Sequence, residues 1–169
     1  MYVFDATPLI YLATVDRLAL LDTLTDDRVL PERVYDEVVT AGLEAGHADA
    51  RGVERIVEED VLTVATVERS DAFERLKAND SLSEADAAVL ALAAARDGTA
   101  VMDEQYGRDV AAAEEIETRG TAYLVLRLLD RDAIDAADAR ETIDAMLDAG
   151  WYCAPDLYAK LLDRIEELS

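Results

Sequence analysis

Residues 82–103 read LSEADAAVLALAAARDGTAVMD and join a helix to a strand. Ser83 and Asp86 form the start signal of a capping box, and the apolar run behind them predicts a helix to Arg96. Ala100 to Met102 then has the composition of a short buried strand. Asp103 follows that strand directly, so the segment predicts one helix–strand unit of an α/β fold.

The same alternation continues on both sides of this unit. Short strands are predicted at 2–4, 29–30, 61–67 and 100–102. Helical segments are predicted from about residue 8 to residue 24. Further helices are predicted at 31–42 (with Pro31 in the first turn and Gly42 as C-cap), 45–58, 70–77, 83–96, 105–117, 122–129, 136–147 and 155–168. We therefore expect one domain over residues 1–169, an α/β three-layer sandwich with a short-stranded parallel sheet and a helical C-terminal third.

The net charge of −22 on 169 residues is extreme, and only Lys77 and Lys160 among the 16 basic residues are lysines. The acids are spread along the whole chain rather than held in a tail. This distribution favours a cytoplasm of high salt, as in a halophilic archaeon, where screening over about 3 Å at molar ionic strength removes most self-repulsion. A partner-binding acidic surface and an unusually soluble protein of an ordinary cell are the alternatives.

Several classes of protein are excluded by composition. Cys153 is the only cysteine and His47 the only histidine, which excludes an internal disulfide and zinc sites built from Cys and His clusters. No apolar run is long enough for a membrane span, and the first residues lack the basic region of a signal peptide. We expect a cytoplasmic protein with no membrane partner.

Four carboxylates lie where carboxylates are unexpected. Asp5 and Asp103 each come directly off a predicted strand, and the carboxyl ends of parallel strands meet at one crevice. Asp86 shares a helix face with apolar residues, although its capping role explains it equally well, and Glu84 on another side of that helix is the weaker candidate. Asp after a strand is also ordinary turn or cap chemistry.

Glu37 lies within the predicted apolar stripe of Val34, Val38 and Ala41. A core-facing carboxylate costs several kcal/mol unless it is paired or bound to a metal. The alternative is a side chain at the edge of the stripe that reaches water.

Clustered carboxylates repel one another, so such a site requires divalent cations or raised pKa values. Oxygen ligands without His or Cys select hard ions, which here means Mg²⁺ or Mn²⁺. Hard ions held by carboxylates and open to water are the apparatus of phosphodiester hydrolysis. Glu104 and Asp109 are candidates for an outer ligand, and Arg108 for a phosphate contact or a surface ion pair with Glu104.

Four segments in order resemble a PIN domain. They are Asp5-Ala6-Thr7-Pro8-Leu9-Ile10, Pro31-x-x-Val34-x-x-Glu37-Val38, residues 82–93 and residues 101–111. The resemblance covers most of residues 1 to about 125, and the chain from Gly120 onward looks like the tail of toxin-like PIN proteins from archaea and bacteria.

This resemblance implies a metal-dependent ribonuclease, often the toxin of a toxin–antitoxin pair and often a homodimer. By position it implies catalytic roles for Asp5, Glu37, Asp86 and Asp103, with Asp5, Asp86 and Asp103 as metal ligands. Thr7 takes the place of the residue that supports the first Asp. The third acid can also be taken as Glu84, and we choose Asp86 because it shares the apolar face.

Other functions fit less well. A PIN-like binding module without activity and an RNA-processing nuclease outside any toxin system remain alternatives within the family, since a fold does not fix a function. A receiver-type phospho-acceptor needs a lysine at a strand end, and both lysines fall on predicted helices. A haloacid-dehalogenase-like phosphatase needs an Asp two residues after the first, where this chain has Thr7.

Overall fold

A five-stranded, fully parallel sheet forms the centre of the protein in a computed structural model that describes all residues 1–169. The strands are β1 (Tyr2–Phe4), β2 (Arg28–Pro31), β3 (Thr63–Ala65), β4 (Thr99–Val101) and β5 (Thr118–Arg119). Their order across the sheet is β3-β2-β1-β4-β5. The predicted α/β class with a short-stranded parallel sheet is confirmed.

Ten α-helices surround the sheet. They are α1 (Ala6–Thr14), α2 (Glu32–Tyr35), α3 (Ala41–Glu44), α4 (Ala48–Glu58), α5 (Asp71–Lys77), α6 (Glu84–Ala95), α7 (Gln105–Ala113), α8 (Thr121–Asp130), α9 (Ala136–Asp148) and α10 (Pro155–Glu167). The last three make up the predicted helical C-terminal third. No helix is both long enough and apolar enough to cross a membrane.

The helices cover both faces of the sheet and share one buried core. Helix α6 packs across β1, β2 and β4, and α2 and α5 pack against α6. Helix α1 packs instead with α4, α8 and α9. The central strands are fully buried, with Val3, Phe4, Ala100 and Val101 all at 0% exposure, which is why they are continuous apolar runs rather than alternating ones.

The strand order reverses at the centre of the sheet. The chain first builds outward through β1, β2 and β3, and then returns to place β4 on the other side of β1. Such a reversal is where ligands bind in parallel α/β folds, outside the carboxyl ends of the strands. Phe4 is in register with Val101, so Asp5 and Asp103 leave neighbouring strands at this point.

The helical segments predicted from about residue 8 to residue 24 are α1 and a 3₁₀ helix at Leu18–Thr23. Two other details differ from the prediction. Strand β5 was not predicted, because two residues give no periodic signal. Gly42 is not a C-cap: it is buried inside α3, where an added Cβ would lie 2.9 Å from Cβ of Ala50. The glycine permits close packing of α3 on α4.

The predicted apolar stripe around Glu37 was also wrong. Residues Asp36–Thr40 are π-helical, so the turn is wider than in an α-helix. This change buries Val38 and Val39 and leaves Ala41 exposed. Glu37 is likewise exposed and does not face the core.

Candidate active site

Asp5 is the buried acid of the site. It occupies the N-cap position of α1 directly after β1, with only 5% of its surface exposed. Its backbone N–H donates to Val101 O at 3.0 Å, which ties it to β4. The side chain makes no capping hydrogen bond to the first turn of α1, so helix capping does not account for a carboxylate here.

The charges of the other three predicted acids act on Asp5. Burial, together with the nearby carboxylates of Asp86, Glu37 and Asp103, raises the pKa of Asp5 from 3.8 to about 7. The backbone N–H of Ala6 acts in the opposite direction and lowers it. Burial and like charges both disfavour the ionised carboxylate. The structure thus brings Asp86, Glu37 and Asp103 within electrostatic range of Asp5.

Asp86 and Glu37 approach Asp5 from two different helices. Asp86 forms the predicted capping box, in which it accepts from Ser83 N at 3.2 Å and donates its own N–H to Ser83 Oγ at 3.0 Å. Asp86 remains partly exposed and its charge acts on Asp5, so one carboxylate both caps α6 and lies near the crevice. Glu37 approaches from the π-helical segment as an exposed acid at the rim.

Asp103 is held by three hydrogen-bond donors from later parts of the chain. Its Oδ1 accepts from the backbone N–H of Thr121 at 2.7 Å, and its Oδ2 accepts from Thr121 Oγ1 at 2.6 Å. The indole Nε1 of Trp151 also donates to Oδ2, at 3.1 Å. Charge-assisted bonds of this kind are about twice as strong as neutral ones, so the carboxylate has a fixed orientation.

Gly120 is required by this close approach rather than by its backbone angles. A Cβ at this position would lie 2.8 Å from Oδ1 of Asp103 and 3.5 Å from Nη1 of Arg108. Its φ of −97° is open to any residue. Only a residue without a side chain lets the N-terminus of α8 reach the carboxylate.

Neighbouring acids have other partners. Glu84 forms salt bridges of 3.0 Å with both Arg33 and Lys77 on the surface, and these cations, Lys77 first, lower its pKa. Glu104 caps α7, where it accepts from Tyr106 N at 3.0 Å and Gly107 N at 2.7 Å. Asp109 accepts from Gln105 Nε2 at 2.7 Å on the exposed side of α7.

The two remaining predicted residues differ in their surroundings. Thr7 lies partly buried in the first turn of α1, yet no side-chain cap joins that turn to Asp5, so its supporting role stays a prediction. Arg108 does not pair with Glu104, whose carboxylate bonds backbone N–H groups instead. The guanidinium lies half-buried beside Gly120, close to Asp103.

Sequence reasoning missed Thr121 and Trp151. They lie 18 and 48 residues from Asp103 along the chain, and no local pattern connects them to it. The available signal was weak: a glycine and a threonine at the start of a helix, and the only tryptophan of the chain after Gly150.

The donor chemistry fits a hard divalent cation. All four acids offer carboxylate oxygens, which hard cations prefer. A cation would also neutralise the negative charges of the three acids that act on the buried Asp5. No three acidic, histidine or cysteine side chains lie close enough together to hold a metal ion. Mg²⁺ in proteins is usually bound by one or two carboxylates together with waters and substrate phosphates, so three direct carboxylate ligands are not what it requires.

Acidic side chains lie at the switch point of the parallel sheet, as expected for an α/β enzyme site. A family model described as the PIN domain matches residues 1–167, and the chain therefore belongs to the PIN-domain family. The family predicted from the sequence is confirmed. PIN domains are nuclease folds, generally dependent on divalent metal and acting on RNA. No curated protein and no solved structure matches the chain.

Proposed function

We propose that this protein is a metal-dependent endoribonuclease whose catalytic residues are Asp5, Glu37, Asp86 and Asp103. The observation that carries the proposal is Asp5: a carboxylate with 5% exposure, without a capping bond, on which three further acids act. A fold gains nothing from this arrangement, because burial and like charge both oppose ionisation. Perturbed acids in a crevice are typical of functional sites.

Asp5, Asp86 and Asp103 would hold Mg²⁺ or Mn²⁺, one or two of them directly and the rest through bound water. The ion would supply the Lewis acidity that phosphodiester hydrolysis needs. Asp5 must lose its proton before it can ligate, and its pKa of about 7 makes that loss easy near neutral pH. Glu37, which is exposed, would ligate the ion directly or through water.

Arg108 is assigned to a substrate phosphate. Its guanidinium lies beside Asp103 and Gly120 and is not paired with Glu104. In a chain with 38 acids and 16 basic residues, an arginine next to the acidic crevice is well placed to bind an incoming phosphate. Arginine suits this task because its planar fork matches phosphate oxygens.

The proposal for the wider biology is supported by the resemblance and by the charge. The likeness of residues 120–169 to toxin-like PIN proteins supports a role as the toxin of a toxin–antitoxin pair, with an antitoxin protein as partner and a homodimer as the working form. The net charge of −22 supports a halophilic archaeal cytoplasm. The open reading frame next to the gene tests the antitoxin, and sedimentation in molar KCl tests the dimer.

The experiment is cleavage of a labelled single-stranded RNA in molar KCl with Mg²⁺, with Mn²⁺ or with EDTA. We expect internal cuts with either metal and none with EDTA. Glu84→Gln is the matched control for any acid variant, since it also removes one charge but lies in surface ion pairs. Metal binding without cleavage of any RNA would contradict the enzyme and favour the inactive binding module.

A further inference from the structure

Trp151 connects the C-terminal third of the chain to the acidic crevice. It lies between α9 and α10, is 6% exposed, and donates its indole N–H to Oδ2 of Asp103 at 3.1 Å. It is the only tryptophan in the protein. A buried indole needs some acceptor for its N–H, yet here the acceptor is an acid of the proposed active site.

The acceptor sites of the Asp103 carboxylate are nearly all taken. Each carboxylate oxygen accepts about two hydrogen bonds. Thr121 Oγ1 and Trp151 Nε1 together fill Oδ2, whereas Oδ1 accepts only from the backbone N–H of Thr121. One acceptor position therefore remains on the carboxylate, and it is on Oδ1.

The segment that carries Trp151 is itself fixed. The backbone N–H of Trp151 donates to Met146 O at 2.9 Å, and Gly150 turns the chain there with a φ of +101°. The flanking helices are joined by the Tyr158 hydroxyl, which donates to Asp144 at 2.7 Å. The indole therefore reaches Asp103 from a rigid support.

We propose that Trp151 is a positioning residue of the nuclease site, whose indole N–H occupies Oδ2 of Asp103 and leaves Oδ1 as its only free ligating position. The inference rests on the proposed function. It makes the C-terminal third part of the active site, because the orientation of the fourth acid depends on a hydrogen bond from the α9–α10 connection.

The wild-type protein provides the first test. Its single indole N–H gives one resonance in a ¹H–¹⁵N spectrum, and we expect that resonance to be protected from exchange and to move on Asp103→Asn. We also expect Mn²⁺ to broaden this resonance and to quench the tryptophan fluorescence. The control variant Glu84→Gln should leave the resonance at its wild-type position. A rapidly exchanging resonance that ignores Asp103→Asn would overturn the inference without any activity measurement.

The second test is Trp151→Phe, which retains an aromatic ring and removes the N–H. Loss of an outer partner of a metal ligand typically weakens metal binding or activity about 10- to 100-fold. We expect a decrease in that range in Mn²⁺ affinity, measured by the free-ion electron paramagnetic resonance signal. We also expect kcat to fall with KM for RNA unchanged, because Trp151 contacts Asp103 and not the substrate.

Tyr152→Phe is the control, since this neighbour is 85% exposed and lies outside the site. A purely structural role for Trp151 would lower the melting temperature and leave Mn²⁺ affinity and kcat at wild-type values, and that result would overturn the inference alone. A wild-type protein that neither binds Mn²⁺ nor cleaves RNA would overturn the proposed function as well. The two failures are thus distinguishable.

Discussion

Replacement of Asp5 by Asn should stabilise the metal-free protein, and the stabilisation should grow with pH. Asp5 is the one buried acid of the crevice, and burial together with the charges of Asp86, Glu37 and Asp103 raises its pKa from 3.8 to about 7. Asn has the same shape and no charge to bury. The variant therefore removes the energetic cost of ionising the site.

The size of the effect follows from the two pKa values. Between pH 3.8 and about 7, Asp5 keeps its proton in the folded protein but has lost it in the unfolded chain. The free energy of unfolding of the wild type therefore falls as pH rises through that window. At 1.36 kcal/mol per pKa unit, the rise corresponds to an upper value of about 4 kcal/mol. The advantage of Asp5→Asn should be near zero at pH 3 and complete above about pH 7.

The assay is urea unfolding in EDTA and constant molar KCl from pH 3 to pH 8. Glu84→Gln removes the same charge from surface ion pairs and should show no growing advantage with pH. The reasoning is refuted if Asp5→Asn is no more stable than wild type at pH 8, or if its advantage does not depend on pH.

Three further variants or conditions give separate outcomes. Gly120→Ala places a Cβ 2.8 Å from Oδ1 of Asp103. We therefore expect RNA cleavage to be at least tenfold slower and the free energy of unfolding in urea to fall by about 1–3 kcal/mol. Wild-type values of both would contradict this close approach. Asp97→Gly should stabilise the fold by roughly 1 kcal/mol in the same assay, because Asp97 follows α6 with a φ of 49° that glycine adopts without cost. A loss of stability would contradict this prediction. Dialysis from molar salt to tens of millimolar should loosen the fold, since the net charge of −22 is then unscreened. A full circular dichroism signal at the low salt concentration would refute the high-salt interpretation.

The sequence was sufficient where the signal is local. Asp5 and Asp103 could be placed at one crevice because each directly follows a short buried run, and the ends of parallel strands share an edge. The capping box at Ser83 and Asp86 is equally local, since its two hydrogen bonds span three residues. Such features need no knowledge of the distant chain.

Other features depend on distant parts of the chain or on backbone geometry that a periodic pattern does not contain. The π-helical turn at Asp36–Thr40 changes which residues are buried, so a count based on 3.6 residues per turn placed Glu37 wrongly. Thr121 and Trp151 contact Asp103 across 18 and 48 residues. Asp97 and four other acids at positive φ occupy positions where a pattern would look for glycine.

The most direct test of the carboxylate site is the rate of single-stranded RNA cleavage by Asp103→Asn beside Glu84→Gln, in molar KCl with Mn²⁺. Asn keeps the shape of the side chain, and its one amide oxygen in the place of Oδ2 can still accept from Thr121 Oγ1 and Trp151 Nε1, but it removes the charge that would hold the cation. We predict that Asp103→Asn cleaves RNA at least a hundredfold more slowly, on the order expected for a lost metal ligand, whereas Glu84→Gln matches wild type. Wild-type cleavage by Asp103→Asn would contradict a nuclease site built from these four acids.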